Sequence, residues 1–436
     1  MTRAAGCIWG AFAAMALGCG PAPVVSAQVL LVVETDAPLP ALGLGPDDLS
    51  LFDRLRVEVF LGDSSVPCTG CAREFVLEAS RPSELSLGLV VGDAPAVAKV
   101  QIFALRNLDR DGRPDEGSAL TAWVRLPKPA SGEVRRAYVA LRVADLAHPR
   151  GARHAPIETT AGPVTPPLGR WPDARRLPCT IPVTPDEVCV PGGVVWMGDA
   201  ARTPGSAGGL APRLVALSPF VLDRHEVTVA EMRRSGLALT DQDIEGEDPV
   251  VSPENGCTYS PDPSPFDGYP VTCITWGAAR RYCRETGKTL PSEAQFEYAQ
   301  GALRGWRYPW GDEDPTCGAL AFGRGPNGPC GGTGVPSPVG SSRLDRLSIP
   351  GSPTVDDLAG NVSEWAREPW HTADDVCNAQ GFFRDPVCPL ATSAEHAKRG
   401  GDFVRNAFAT RSYVRIVGAA ISSRVGFRCA RDGTVP

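Results

Sequence analysis

Residues 399–430, RGGDFVRNAFATRSYVRIVGAAISSRVGFRCA, constrain the fold more than any other part of the chain. The Gly400-Gly401 pair can take backbone angles closed to other residues, and the stretch closes on Gly426-Phe427-Arg428-Cys429, an apolar end open to cross-linking. Between them Arg405, Arg411, Arg415, Arg424 and Arg428 recur among small and apolar residues, too regularly for a solvated tail. Two readings stand at this point. One is a structural core holding buried or stacked guanidinium groups; the other is a cleft between Arg399 and Arg428 that uses them on a ligand.

The chain around this stretch is 436 residues long, 43% hydrophobic and 21% charged, enough for two or three domains with real cores. Its 47 Gly and 43 Pro point to a loop-rich protein with few long helices. A net charge of -7, without a Lys/Arg run, argues against nucleic acid as a partner. Met1-Thr2-Arg3 and the apolar run after it have the form of a secretory signal over residues 1–27, too short for a membrane span. Leu17-Gly18-Cys19-Gly20 resembles a bacterial lipoprotein processing site, with Ala16 where a branched aliphatic residue is usual. Lipidation of Cys19 is favoured over cleavage after Ala27, which would leave a soluble periplasmic or secreted protein. The expected location is the cell envelope, with the membrane engaged only through the lipid.

Of 14 Cys, removal of Cys7 and Cys19 leaves an even set, and an exported chain makes disulfides the default. Close pairs are Cys68 with Cys71, Cys179 with Cys189, Cys257 with Cys273, Cys317 with Cys330, and Cys377 with Cys388, leaving Cys283 and Cys429 to each other.

Residues 28–145 read as a β-sandwich, because Leu55, Val57, Val59 and Leu61 alternate onto one face, as do Val100, Ile102 and Ala104, and Val139, Leu141 and Val143. Within it Asp109, Asp111 and Asp115 around Gly112 could wrap a calcium ion, but a tight Asp-Gly turn explains them better. Cys68-Thr69-Gly70-Cys71 reads as a local bridge rather than a redox motif. Residues 146–178 carry seven prolines in a polar background and read as a semi-rigid linker.

Residues 179–436 form the remaining domain. Thr228 with Glu231 makes a capping box opening a helix over 229–234; Trp276, Ala279 and Cys283 share a helical face that stops at Gly287; Ser292 with Gln295 caps a third helix ending before Gly301. Its motifs, in order, are Val190-Pro191-Gly192-Gly193, His225-Glu226-Val227-Thr228, Gly287-Lys288-Thr289-Leu290-Pro291-Ser292-Glu293, Tyr308-Pro309-Trp310-Gly311, Asp357-Leu358-Ala359-Gly360-Asn361-Val362-Ser363-Glu364-Trp365, Arg399-Gly400-Gly401 and Gly426-Phe427-Arg428-Cys429. Each is weak alone, but the ordered set resembles the formylglycine-generating enzyme family, the sulfatase-modifying factors.

That resemblance implies an irregular α+β, C-type-lectin-like fold, and matches Cys283 and Cys429 to a family disulfide. A second family bridge is replaced by Gln300 and Arg415. It also implies a structural calcium site from the side chains of Asp357 and Glu364 and the carbonyls of Gly360 and Val362, hard oxygen ligands on a tight loop. A second calcium site is degraded at Ala321. Active aerobic relatives hold copper(I) between two Cys thiolates, and the matching positions here, four and nine residues after Gly401, are Arg405 and Thr410. Copper is therefore not expected, and the retained scaffold reads as a binding or interaction module for a peptide, protein or glycan. Arg405, Thr410 and Arg411 would line its cleft and suit anionic groups. The competing reading is an oxygen-dependent oxidoreductase with a non-standard site. The five His lack the spacing of a two-His-one-carboxylate iron site, and neither a zinc-protease helix nor a nucleophile elbow is present.

Overall fold

The computed structural model describes residues 27–40, 45, 47–78, 85–90, 92, 94–165, 168–200, 209–239, 257–325, 328–332, 334–372, 375–388, 394–418 and 422–433. The expected signal segment, with Cys7 and the lipidation candidate Cys19, lies outside the described residues. Among them, no helix is long and apolar enough to cross a membrane. The protein is mostly sheet with few helices, and it divides into two compact units meeting in sequence at 174 and 175, with 47–49 and 109–111 grouped with the second unit.

The first unit holds two sheets. One has the strand order Leu85–Val90, Gln28–Thr35, Val134–Leu141; the other runs Ala72–Val76, Arg54–Leu61, Ala96–Phe103, Leu120–Arg125, Ile157–Glu158. The period-2 patterns sort as expected: Leu55, Val57, Val59, Val100, Ile102, Ala104, Val139, Leu141 and Val143 are buried, while Leu61, at a strand end, is exposed. The stretch expected to be a linker is largely part of this unit instead. Ile157–Glu158 pairs in parallel with Leu120–Arg125, Arg150 bridges Ala122, and Thr160 exchanges backbone hydrogen bonds with Tyr138 at 2.9 and 3.1 Å. Pro149 and Pro156 stand immediately before paired residues, where a proline favours extended backbone without removing a ladder donor. The Asp-rich loop is a turn, with Asp109 Oδ1 accepting the Asp111 N–H at 2.9 Å and Gly112 at φ +69°.

Among the described residues the second unit is built on short strands and three helices, α1 (Val229–Arg234), α2 (Trp276–Glu285) and α3 (Glu293–Gln300). All three start as the sequence implies. Thr228 and Ser292 form complete capping boxes with Glu231 and Gln295, and Thr275 Oγ1 accepts the Ala278 N–H. After α2, Gly287 takes φ +74°, the left-handed geometry that ends a helix. Helix α3 is buried on every residue, against a core that includes Val195, Val215, Phe220, Leu222 and Leu358. The strand Ser363–Pro369 lies at the centre of a four-stranded sheet, antiparallel to His396–Arg399 and parallel to Val425–Gly426.

All six cysteine pairs read from the sequence are bonded, Cys283 of α2 to Cys429 among them. That bridge joins residues 146 apart and sits in the core formed by Val227, Leu290, Trp365 and Phe427. Replacing Cys283 and Cys429 by Ser is expected to lower unfolding free energy by about 2–5 kcal/mol. Urea denaturation followed by tryptophan fluorescence measures this.

Candidate functional site

Pairing of Ser363–Pro369 with His396–Arg399 sets Glu364 opposite Arg399 and Trp365 opposite Lys398. Because side chains alternate across a strand, charge and aromatic surface separate onto opposite faces here.

One face is ionic and closed to solvent. Arg399, Arg415 and Arg428 are among the largest fully buried side chains of the protein. Arg428 grips Glu364 through Nε and Nη2 at 2.7 Å each, and its Nη2 also donates to the Asp356 and Asp357 carbonyls at 2.9 Å. Arg399 donates to Glu297 Oε2 and to the Ser412 carbonyl, both at 2.6 Å. Arg415 forks onto Glu293 at 2.5 and 2.6 Å and stacks on Trp370, its guanidinium carbon 4.4 Å from the ring centre. Burial would raise the Glu293 carboxyl, but Arg415 beside it holds it below its usual range. Arg415 thus places an ion pair where the family resemblance implied a disulfide, while Gln300 donates to the Thr410 carbonyl at 2.9 Å.

These positions correct the expected cleft. Arg399 and Arg428, its proposed walls, are 0% exposed. Thr410 is equally buried, its hydroxyl donating to the Ala407 carbonyl at 2.8 Å. Arg411 is engaged internally, with Asp314 at 2.9 Å, Tyr413 Oη at 3.1 Å and Tyr308 Oη at 3.3 Å. Of the three candidates, Arg405 alone is substantially exposed, its side chain at 38% with Nε 3.0 Å from Asp402 Oδ2.

The opposite face carries the groups that sequence reasoning missed. Lys398 Nζ lies 5.1 Å over the Trp365 ring, His396 stacks on Trp276 at 3.9 Å, and Arg405 and Arg424 act on Lys398 through their charge. Burial first, then those two cations, lower the Lys398 ammonium to about 8. Alternation puts His396 and Lys398 on one face of their strand, but the lysine's place beside Trp365 comes from the cross-strand register.

The loop expected to hold calcium adjoins the Arg428–Glu364 pair. Both Glu364 oxygens face Arg428, and Asp357 Oδ2 accepts the Gly340 N–H at 2.5 Å. Around them Glu226 and Asp345 add two further buried carboxylates. Glu226 Oε1 accepts from Asn361 Nδ2 at 3.1 Å, and its Oε2 has no hydrogen-bond partner among the described residues. Asp345 accepts the Leu358 and Ala359 N–H groups at 3.0 and 2.6 Å. Burial, with the Asp357 charge added, pushes Asp345 up to about 8, and burial with the Asp356 charge pushes Asp357 to about 6 despite Gly340 and Arg428. Glu226 is raised well above its usual range by burial and Asp357. Four buried carboxylates, Glu226, Asp345, Asp357 and Glu364, thus share the field of one buried guanidinium, Arg428.

Residues 176–433 match the sulfatase-modifying factor enzyme 1-like domain, and the chain belongs to the formylglycine-generating enzyme family. It is 30% identical over 292 residues to the formylglycine-generating enzyme of Streptomyces coelicolor, covering 57% of this chain and 90% of that one. It is 35% identical over 108 residues to the inactive C-alpha-formylglycine-generating enzyme 2 of Bos taurus, covering 24% and 35%. Among solved structures it resembles PvdO from Pseudomonas aeruginosa, with a TM-score of 0.41 and 22% identity over 57% of this chain and 94% of that one.

Two outcomes follow from the buried charges. Arg428→Met, which strands Glu364, should cost about 3–5 kcal/mol in chemical denaturation, and pairing it with Glu364→Leu should recover much of that loss. Asp345 and Asp357 have folded pKa values above the ordinary 3.8, so they favour the folded state at low pH. That contribution is lost as pH rises through about 6 and about 8. Stability of cation-free protein should therefore slope downward from the ordinary 3.8 to about 8, less steeply in Asp345→Asn, as read by thermal unfolding across pH.

Proposed function

We propose that this chain is a non-catalytic, ligand-binding member of the formylglycine-generating enzyme family that works outside the cytoplasm, held to the cell envelope by a lipid on Cys19. The reading is carried by positions 405 and 410, where copper(I) would need soft thiolates. Arg405 is there ion-paired with Asp402, and Thr410 is buried against its own turn. The six disulfides suit an oxidising compartment, and a relative of the same family is itself described as inactive.

The ligand is anionic. Lys398, Arg405 and Arg424 concentrate positive charge beside Trp365, with Asp402 and Glu395 as the opposing charges that act on Lys398. A carboxylate or sulfate of a peptide or glycan would meet a charge-assisted donor at Arg405, whose side chain is 38% exposed, with Lys398 and Trp365 themselves buried. A structural calcium ion belongs to this reading. Asp357 and the Gly360 and Val362 carbonyls would hold it, with Glu364 shared with Arg428 and Glu226 supplying the surplus charge. We further read the two sheets of the first unit as a β-sandwich and the second unit as a C-type-lectin-like domain.

Calorimetric titration with an acidic peptide and with a sulfated oligosaccharide tests the ligand class. Binding should weaken by about tenfold or more in Lys398→Met and in Arg405→Gln. It should also decline as pH rises through about 8, where Lys398 loses its proton. Affinity indifferent to both substitutions and to pH would overturn the anionic assignment. Calcium should raise the melting temperature, and a chelator should lower it again; a melting temperature unmoved by calcium would remove the ion from the account.

A further inference from the structure

We propose that His371, Asp375, Cys377 and Cys388 form a reduction-gated site for a zinc-class divalent cation, completed when the Cys377–Cys388 disulfide opens. Each residue offers one donor atom, and the four atoms lie within 4.8 Å of one another. An imidazole nitrogen, a carboxylate oxygen and two thiolate sulfurs are the mixed set that a tetrahedral zinc ion accepts, and the sulfurs discriminate against calcium and magnesium. His371 Nδ1 already lies 3.2 Å from Asp375 Oδ2, so the carboxylate fixes the ring orientation before any ion arrives.

The backbone carrying these ligands is held by contacts that do not involve the disulfide. Arg415 Nη1 donates to the His371 carbonyl at 2.9 Å, and Asn378 Nδ2 donates to the Thr372 carbonyl at 2.6 Å. Arg213 Nη1 donates to the Cys377 carbonyl at 2.6 Å, and Asp375 Oδ1 accepts the Cys377 N–H at 3.0 Å. On the approach to Cys388, Asp385 accepts from the Ser218 N–H and hydroxyl, both at 2.7 Å, and Phe382–Arg384 pairs with the strand Arg213–Leu217. Opening the disulfide therefore leaves the donors positioned.

The chemistry balances with an external dithiol as reductant. The dithiol gives two electrons and two protons to the Cys377–Cys388 bond and becomes a disulfide itself; the two new thiols release two protons as their thiolates bind the cation.

The test uses the full chain, treated with dithiol until alkylation mapping finds Cys377 and Cys388 free, then titrated with Co2+ alone. The expected result is one equivalent bound, with thiolate-to-cobalt charge transfer and the intense visible bands of tetrahedral cobalt, displaced by Zn2+ and absent from oxidised protein. His371→Gln and Asp375→Asn, which keep every cysteine, should weaken binding by about tenfold or more. Joint replacement of Cys377 and Cys388 by Ser should abolish the spectrum. As a second readout, Zn2+ should slow alkylation of Cys377 and Cys388 selectively, and His371→Gln should remove that protection. Cobalt bands that persist in the double Ser variant, binding indifferent to His371→Gln and Asp375→Asn, or no uptake with both thiols demonstrably free would each overturn the proposal.

Discussion

The second unit depends on the pairing of Arg428 with Glu364 more than on any other contact. Two fully buried charges are held at 2.7 Å, and the same guanidinium ties down the carbonyls of Asp356 and Asp357. Desolvating both ions is expensive, and the cost is offset here by the fork geometry and by filling almost every remaining donor direction. The next residue, Cys429, is bonded to α2, so the end of the chain is fastened to the core by an ion pair and a disulfide on consecutive residues. Arg399 and Arg415 extend this arrangement through Glu297 and Glu293 of α3, which explains how a short helix with polar residues can be buried all round.

Much of this was legible in the sequence because the signals were local. Capping residues and a following glycine gave the three helices, and close cysteine spacing gave the bridges, all of which depend on a few neighbouring residues. The arginine-rich stretch was harder, since a guanidinium's role depends on distant partners, 122 residues away for Arg415 and Glu293 and 205 for Arg428 and the Asp223 carbonyl. Of the two readings open at the outset, the buried core holds for Arg399, Arg415 and Arg428. The proline-rich stretch misled for a related reason: prolines placed just before pairing residues leave the ladder intact, so composition resembles a linker while Ile157–Glu158 joins a sheet. Lys398 escaped notice because its character comes from a neighbour across the strand, Trp365, and from desolvation.

The proposed separation of function from fold rests on two positions, 405 and 410. The turn after Gly401 stands on a scaffold of buried ion pairs and a disulfide. Arg405 and Thr410 are both accommodated in that turn: one makes a local ion pair with Asp402, the other satisfies its hydroxyl within its own turn. Under the proposed function, a cation and a buried hydroxyl at these positions convert a site suited to a redox metal into one suited to an anion.

The most direct measurement of that conversion is mass spectrometry of a cysteine-containing sulfatase-motif peptide after incubation with the protein, copper(I), a reductant and oxygen, beside an active family member. The peptide's cysteine is expected to stay unmodified here while the active relative converts it. Formylglycine formed by this chain, and lost when the protein is heat-unfolded, would contradict it.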